Sequence, residues 1–252
     1  MIIAGKTDTG RVRKTNQDEF ATGELPSGAA FALVCDGMGG ANGGNVASSV
    51  AAETISKGIR EGYSPALDVK GREKLLEDVI GRANSAVYGL SRKDAALSGM
   101  GTTVVACLAS ENGLVVAHAG DSRAYLLTKD GTLRRLTRDH SVVQAMIENG
   151  KITEAEANSH PQKNIITRAL GVEETLELDF AAADFEPGAA VLLCSDGLTN
   201  HVPEEAISQT AADSSPAECV ERLVDAANEN GGSDNITVVV LCNANTGGGL
   251  NG

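Results

Sequence analysis

Apolar residues recur every three or four positions in several stretches of the chain, which is the spacing of an amphipathic helix. The clearest stretch covers residues 72–94, where leucine, isoleucine, valine and alanine alternate with charged residues at this interval. An alanine- and serine-rich segment predicts a helix over 46–59, which a linker at 62–71 separates from the first. Pro216, a residue suited to a first helical turn, predicts the start of another helix that ends near residue 228.

Short apolar runs bounded by glycine, asparagine and aspartate have the length and composition of β-strands. They occupy residues 31–35, 102–109, 114–119, 123–128, 132–136, 176–182, 190–194 and 235–241. The four runs between 102 and 136 follow one another closely, and Asn112-Gly113 is a hairpin signal, so we expect an antiparallel meander there. A loop rich in Gly and Asn is predicted over 37–45, and a long excursion between sheet elements over 137–175.

Composition and charge restrict the classes of function. The chain has 252 residues, of which 42% are hydrophobic, so it can bury a sizeable core. Lysine and arginine number 21 against 34 aspartates and glutamates, which gives a net charge of −13. Phosphate contacts need clustered cations, so this acidity argues against nucleic acid and against an anionic membrane as partners.

The cysteines and the absence of long apolar runs indicate a location. None of the five cysteines forms a Cys-x-x-Cys pair, and we interpret them as buried thiols in a reducing compartment. No apolar run approaches the roughly 20 residues that a membrane span needs. We therefore expect a cytoplasmic monomer, with a single domain over residues 1–243 and a flexible tail over 244–252.

Aspartates follow apolar strands or occupy sharp turns at several places. They are Asp18, Asp36, Asp121, Asp196 and Asp234. One Asp-Gly is an ordinary turn signal, but two apolar runs end alike, each in a cysteine followed closely by Asp-Gly. If these strands lie side by side, their carboxylates converge at one sheet edge, where like charges need a partner. Oxygen ligands without His or Cys select Mg²⁺ or Mn²⁺, so the pattern predicts a divalent metal site.

Six motifs in order resemble those of the metal-dependent protein phosphatase family, the type 2C protein serine/threonine phosphatases, in its bacterial form. They are Arg13-Lys14-Thr15-Asn16-Gln17-Asp18, Asp36-Gly37-Met38-Gly39-Gly40, Gly101-Thr102-Thr103, Gly120-Asp121-Ser122-Arg123, Ser195-Asp196-Gly197-Leu198 and Asp234-Asn235. Together they span nearly the whole chain, and six in order are specific where one would be weak. The resemblance implies an α+β fold, a four-layer αββα sandwich of two antiparallel β-sheets flanked by helices. It also implies that the excursion over 137–175 is the family's mobile flap.

The resemblance implies a role for each residue of the metal site. Asp36 bridges two catalytic metals, and the carbonyl of Gly37 completes one of them. Asp196 and Asp234 hold the other. Asp121, together with Asp196, binds the third metal that bacterial members often carry.

The reaction implied by the resemblance is direct hydrolysis of a phosphomonoester. A metal-bridging hydroxide at a binuclear Mg²⁺ or Mn²⁺ centre attacks phosphoserine or phosphothreonine, without a phosphoenzyme. Arg13 binds the substrate phosphate and stabilises its charge, and Asp18 orients metal-bound water from behind the ligands. The implied partners are phosphorylated proteins, the substrates of a serine/threonine kinase.

The chain departs from the family pattern where a general acid is expected. Bacterial relatives commonly have histidine after Asp-Gly-Met-Gly-Gly, where this chain has Ala41. Eukaryotic members have histidine directly after Asp-Gly, where this chain has Met38. The alternative to an active enzyme is therefore a pseudophosphatase that binds phosphoproteins with little turnover.

Further departures concern the metals and one histidine. Asn45 stands where bacterial relatives usually have glutamate. Asn200 stands where many have an aspartate that helps the third metal, so we expect that site to be weaker than the two-metal core. His201 lies near Asp196 in sequence, but a proton-transfer role for it is not favoured.

Overall fold

Two β-sheets packed face to face form the centre of the computed structural model, which describes residues 1–244 apart from the side chains of residues 40–42 and 158. The strands are β1 (Ile2–Asp8), β2 (Asp18–Glu24), β3 (Ala30–Met38), β4 (Gly101–Thr102), β5 (Val104–Ser110), β6 (Gly113–Ala119), β7 (Arg123–Leu127), β8 (Leu133–Arg135), β9 (Asp179–Ala183), β10 (Ala190–Cys194) and β11 (Ile236–Cys242). Sheet A has the order β1-β11-β10-β7-β8, and sheet B the order β2-β3-β5-β6-β9, with β4 paired to the end of β3. The strands pair antiparallel throughout this described part.

Helices cover the outer face of each sheet. They are α1 (Gly40–Gly62), α2 (Val69–Lys93), α3 (Val142–Glu148), α4 (Glu154–Asn158), α5 (Asp196–Thr199), α6 (Glu204–Ala212) and α7 (Pro216–Glu229). The pair α1 and α2 packs on sheet B, and α6 and α7 pack on sheet A. The layers therefore follow the order αββα, and the expected α+β sandwich is confirmed.

Strand β3 contributes side chains to two hydrophobic cores, one on each face of sheet B. Phe31 and Leu33 pack with α1 and α2, whereas Ala32 and Val34, whose side chains point the other way, pack against sheet A. All four residues are buried. Because both faces of the strand are covered, its sequence is a continuous apolar run instead of an alternation of apolar and polar residues.

The predicted meander over 102–136 is wrong. β5 and β6 form a hairpin in sheet B, and β7 and β8 form a hairpin in sheet A, so the turn at 120–122 carries the chain from one sheet to the other. Strands that are neighbours in sequence usually pair, and the spacing of the apolar runs predicts each hairpin correctly. The spacing does not predict that the two hairpins belong to different sheets, because that depends on contacts with strands distant in sequence.

The predicted loop over 37–45 is also wrong, because β3 continues to Met38 and α1 begins at Gly40. Gly39 has a φ of +109°, a conformation that favours glycine, and other glycines of the segment allow close packing. A Cβ atom at Gly37 would overlap the carbonyl oxygen of Gly44, so the strand end and the first turns of the helix touch only because both residues lack side chains. Two short helices, α5 and α6, were not predicted.

The segment over 137–175 holds α3 and α4 between β8 and β9 and returns to the sheet through an isolated bridge between Thr102 and Leu170. Of the predicted tail over 244–252, the residues from 245 onward lie outside the described part of the chain. Among the helices of residues 1–244, none has the length and apolar character needed to cross a lipid bilayer.

Candidate metal centre

Asp18 and Asp36 are register partners on the neighbouring strands β2 and β3. The backbone N–H of Asp36 donates a hydrogen bond to the Thr103 hydroxyl oxygen over 3.0 Å. That hydroxyl lies 2.7 Å from Oγ of Ser122, which follows Asp121 directly. The Gly-Thr-Thr motif therefore connects the strand that carries Asp36 with the turn that carries Asp121.

Asp196 and Asp234 reach the same place from sheet A. Asp196 begins α5 directly after β10, and Asp234 precedes β11, which pairs with β10. A Cβ atom at Gly197 would overlap the carbonyl oxygen of Asn235, so glycine allows these two segments to touch. The carboxyl groups of Asp36 and Asp196 lie close enough to shift each other's pKa. The carboxylates thus meet between the two sheets, and the expectation that they share one sheet edge is corrected.

Asp18 is held from behind by two hydroxyl groups. Ser195 and Thr237 each donate to its Oδ2 over 2.7 Å. The residue is 6% exposed, and its Oδ1 is buried without a hydrogen-bond partner in the described structure. An unpaired buried carboxylate oxygen costs free energy, and burial raises the pKa of Asp18 to about 7. Oδ1 is therefore an acceptor available to a further group.

The other carboxyl groups of the cluster are also difficult to ionise together. Burial, with a further contribution from Asp18, raises the pKa of Asp36 well above its usual value. Burial and the charge of Asp234 raise the pKa of Asp196, and burial and the charge of Asp196 raise the pKa of Asp121 to about 8. A divalent cation relieves this repulsion, and an all-oxygen donor set is the one that Mg²⁺ and Mn²⁺ prefer. The residues fit such ions.

Arg13 lies at the rim of the cluster. Its Nη2 donates to Oδ2 of Asp234 over 2.7 Å, while about half of the arginine side chain remains exposed. Asn235 holds this segment in place. Its side-chain amide donates to the carbonyl oxygens of Thr9 and Thr15, and its Oδ1 accepts from the N–H of Gln17. These bonds fasten the chain on both sides of Arg13 to the start of β11.

Asn200 makes a contact that its sequence position alone did not reveal. Its side-chain amide donates to Oδ2 of Asp196 over 2.9 Å. An aspartate there would add a negative charge and an oxygen ligand, whereas the amide occupies one oxygen of Asp196 and adds no charge. A weak third site near Asp121 stays a prediction, for which this contact gives a physical reason.

A second group of possible metal ligands, His118, His140 and Asp179, lies at the base of the 137–175 segment. A neutral imidazole has only one acceptor nitrogen. The backbone N–H of Gly120 donates to Nδ1 of His140, and that of Arg138 donates to Nε2 of His118, each over 3.2 Å. Burial lowers the pKa of both rings, that of His118 to about 4, so both are neutral at pH 7. Neither ring has a lone pair left for a metal.

The carboxylate of this group already has a cation. Nη1 of Arg168 lies 2.7 Å from Oδ1 of Asp179, and Oδ2 of Asp179 lies 3.3 Å from Nε2 of His140. We interpret the group as a hydrogen-bonded anchor that ties the base of the segment to the turn before Asp121. Only the fold creates this connection, because its members are distant in sequence.

The comparisons with known proteins agree with this geometry. The model of the family described as protein phosphatase 2C matches residues 9–237. The chain belongs to the protein phosphatase 2C family. It is 38% identical over 237 residues to the serine/threonine phosphatase stp of Listeria monocytogenes, an alignment that covers 94% of this chain and 93% of that protein.

Solved structures of the protein phosphatase 2C type have the same fold. The serine/threonine phosphatase PstP/Ppp of Mycobacterium tuberculosis superposes with a TM-score of 0.88 at 36% identity, covering 97% of this chain and 99% of that one. The catalytic domain of PstP in complex with two manganese ions superposes with a TM-score of 0.82 at 34% identity, covering 95% and 96%. Mn²⁺ or Mg²⁺ is thus the cofactor that both the carboxylate set and the family indicate. The side chain of Ala41 lies outside the described part of this protein phosphatase 2C chain.

Proposed function

We propose that this protein is a serine/threonine phosphoprotein phosphatase that hydrolyses phosphomonoesters with two Mn²⁺ or Mg²⁺ ions. One observation carries the proposal. Carboxylates from two different sheets, Asp36 from one and Asp196 and Asp234 from the other, converge at one end of the sandwich, with Asp18 behind them and Arg13 at the rim. When ionised, these carboxylates repel one another, and a divalent cation relieves that repulsion.

The oxygens of Asp36, Asp196 and Asp234, with the carbonyl of Gly37, would hold the two ions. When bound, the ions supply Lewis acidity, which neutralises charge on a phosphoryl group and makes water a competent nucleophile at neutral pH. Asp121 is the candidate ligand for a third ion. Because Asn200 occupies one oxygen of Asp196, this third site is the weakest part of the set.

Arg13 would bind the phosphate of the substrate. Its planar guanidinium matches two phosphate oxygens at once, and its exposed position at the rim lets it change partners from Asp234 to a phosphoryl group. Asp18 has a different task. Its unpaired Oδ1 can accept a hydrogen bond from a water molecule in the cluster and so orient that water, while Ser195 and Thr237 keep the carboxylate in one orientation.

The missing histidine is the one feature that favours the alternative of a phosphoprotein-binding module with little turnover, and the rest of the site favours an enzyme. The three expected carboxylate ligands and Arg13 are present together, and the relatives named above are phosphatases. The missing histidine at Ala41 affects which leaving groups are handled well, because a general acid contributes about 10²–10⁴-fold to rate.

The proposal includes the setting in which the enzyme works. Its substrates are proteins that a serine/threonine kinase in the same compartment phosphorylates. We place the catalytic domain over residues 1–243, acting as a monomer in the cytoplasm. The support for a reducing compartment is that all five cysteines are buried and unpaired.

The test is hydrolysis of p-nitrophenyl phosphate and of a phosphothreonine peptide, each with Mn²⁺, with Mg²⁺ and with EDTA. Asp36→Asn removes one ligand charge at constant shape, and Glu61→Gln, an exposed position on α1, is the matched control for loss of a carboxylate. We expect metal-dependent release by the wild type and by Glu61→Gln, and none by Asp36→Asn. Release that persists in EDTA, or in Asp36→Asn, would disprove the proposed metal centre.

A further inference from the structure

His201 lies between α5 and α6 and is hydrogen-bonded through both ring nitrogens. Nε2 accepts from the backbone N–H of Ser233 over 2.9 Å and lies 2.8 Å from the Ser233 hydroxyl. Since a neutral imidazole has one acceptor, the proton is on Nδ1, which lies 3.1 Å from the carbonyl oxygen of Asn230 and donates to it. With both nitrogens engaged, the ring has no role in proton transfer to a substrate.

The two partners of the ring are the ends of a glycine turn. Gly231 and Gly232 have φ values of +122° and +50°, in the region that favours glycine. Two glycines in sequence leave a loop with many accessible conformations, so its ordering needs external contacts. The imidazole closes the turn by joining Asn230 to Ser233, and the side-chain amide of Asn230 donates back to the carbonyl oxygen of His201 over 3.0 Å.

The same residue continues the segment that carries Asp196. The backbone N–H of His201 donates to the carbonyl oxygen of Leu198, within α5, over 3.1 Å. Asp196 begins that helix, and Asp234 directly follows the turn that the ring closes. His201 is therefore a direct link between the two chain segments whose carboxylates are expected to hold one ion.

The opposite side of the turn is fixed independently. The N–H of Arg11 donates to the carbonyl oxygen of Gly232 over 2.7 Å, and Asn235 is bonded to the carbonyl oxygens of Thr9 and Thr15. The turn is thus held by the end of α7, by the N-terminal segment and by His201. Farther along the chain, the N–H of Ser195 donates to the carbonyl oxygen of Thr237. Within the described structure, the hydrogen bonds that join the turn itself to the segment after Asp196 are those of His201.

We propose that His201 is a positioning residue that sets the separation of Asp196 and Asp234 and so the affinity of the ion between them. The inference rests on the proposed metal centre and deepens it, because it assigns a task to a residue outside the ligand set. Groups behind metal ligands typically change metal affinity by 10–100-fold when removed. Since His201 acts on a backbone turn and not on a ligand atom, we expect an effect of about tenfold, at the lower end of that range.

The experiment is calorimetric titration of the whole, metal-free protein with Mn²⁺, together with activity measured against Mn²⁺ concentration. His201→Phe keeps the ring volume and removes both hydrogen bonds. His201→Gln keeps an acceptor that can reach the N–H of Ser233. His160→Phe makes the same chemical change at a histidine of the 137–175 segment, whose Nδ1 accepts a hydrogen bond from the N–H of Gln162. Asp234→Asn serves as the reference for loss of a ligand.

We expect His201→Phe to bind Mn²⁺ about tenfold more weakly, with kcat at saturating Mn²⁺ within about twofold of the wild type, because the ring does not touch the substrate. His201→Gln should recover part of the affinity, and His160→Phe should bind like the wild type. Thermal unfolding of the metal-free variants verifies that each is folded.

The possible failures are distinguishable. If Asp234→Asn weakens Mn²⁺ binding and both His201 variants bind as the wild type does, the inference is wrong while the metal centre stands. An equal loss of affinity in His160→Phe would also overturn it, because the effect would not be specific to this turn. If Asp234→Asn itself leaves Mn²⁺ binding unchanged, the proposed metal centre fails first.

Discussion

Arg13 and Asp234 form an ion pair across 2.7 Å between Nη2 and Oδ2. In the proposed mechanism each of them has another partner, since Arg13 binds the substrate phosphate and Asp234 binds a metal ion. The pair therefore stabilises the metal-free site and must separate for catalysis. Because both side chains retain substantial exposure, the cost of separating them is small.

Replacing Arg13 by alanine should change substrate and metal binding in opposite directions. We expect KM for a phosphothreonine peptide to rise about 10–100-fold, since a charge-assisted bidentate contact is worth about 1.5–3 kcal/mol. Metal affinity should stay the same or increase slightly, because Asp234 loses a competing cation. Arg13→Lys should recover the charge but not the bidentate contact, and Lys14→Ala is the charge-matched control. A fall in metal affinity in Arg13→Ala would contradict this account.

Asn200→Asp should strengthen the third metal site. The substitution replaces the amide that bonds Asp196 with a carboxylate, which adds both a charge and an oxygen ligand near Asp121. We expect metal analysis at fixed free Mn²⁺ to show more ions bound per chain than in the wild type. Asn200→Ala removes the same hydrogen bond without adding charge and should show no such gain. Equal stoichiometry in Asn200→Asp and the wild type would refute the interpretation.

The stability of the metal-free protein should fall as the pH rises. Burial raises the pKa of Asp18 to about 7 and that of Asp121 to about 8, both above the ordinary value for the unfolded chain. The folded state therefore holds more protons between pH 4 and 8, and the stability linked to these groups, fully present below pH 4, is lost as the pH rises through 7 and 8. Each kcal/mol lost lowers Tm by about 2–4 °C in a chain of this size.

Thermal unfolding in EDTA at pH 5 to 9 measures this effect. Asp18→Asn removes one of the titrating groups while keeping its shape, so its Tm should depend less on pH than that of the wild type. Saturating Mn²⁺ should reduce the loss above pH 7, because a bound cation favours the ionised carboxylates. A Tm that increases with pH in EDTA would show that these carboxyl groups do not titrate as the geometry indicates.

The sequence predicted the elements well where their pattern is local. The apolar run of β3, the long periodic segment of α2 and Pro216 at the start of α7 all have causes within the segment itself. The loop expected over 37–45 failed because its glycines serve close contact between β3 and α1, a requirement set by the other segment. The meander failed for the same kind of reason, since the sheet to which a hairpin belongs depends on distant strands.

The residues of the candidate site were likewise predictable where the signal is local. The aspartates could be identified because they stand where an apolar strand gives way to a turn, and the six motifs placed them in a family. The contacts of Asn200, His201 and Asn235 were not predictable, because each joins segments that are distant in sequence or depends on a side-chain orientation. No spacing rule connects His201 to a turn about thirty residues later. The weaker third metal site expected from Asn200 stays a prediction.

Ala41→His is expected to change which phosphate esters the enzyme hydrolyses well. With no histidine at residue 38 or 41, the wild type should handle p-nitrophenyl phosphate, whose leaving group departs without a proton, much better than a phosphothreonine peptide, whose alkoxide needs one. Restoring the acid should raise kcat for the peptide by roughly 10–100-fold. This reaches the lower end of the range of about 10²–10⁴-fold for a positioned general acid. It should change kcat for the aryl ester little.

Comparison of the two substrates with Ala41→His and Ala41→Gln separates acid catalysis from a change in shape. Glutamine adds a polar side chain of similar reach that cannot donate a proton as an acid, so it should leave the substrate ratio as in the wild type. The gain in Ala41→His should also decline as the pH rises past about 6.5, where histidine loses its proton. If both substrates gain equally, or if the gain is independent of pH, proton delivery to the leaving oxygen is not what the wild-type chain lacks. The metal centre would then supply that proton by itself.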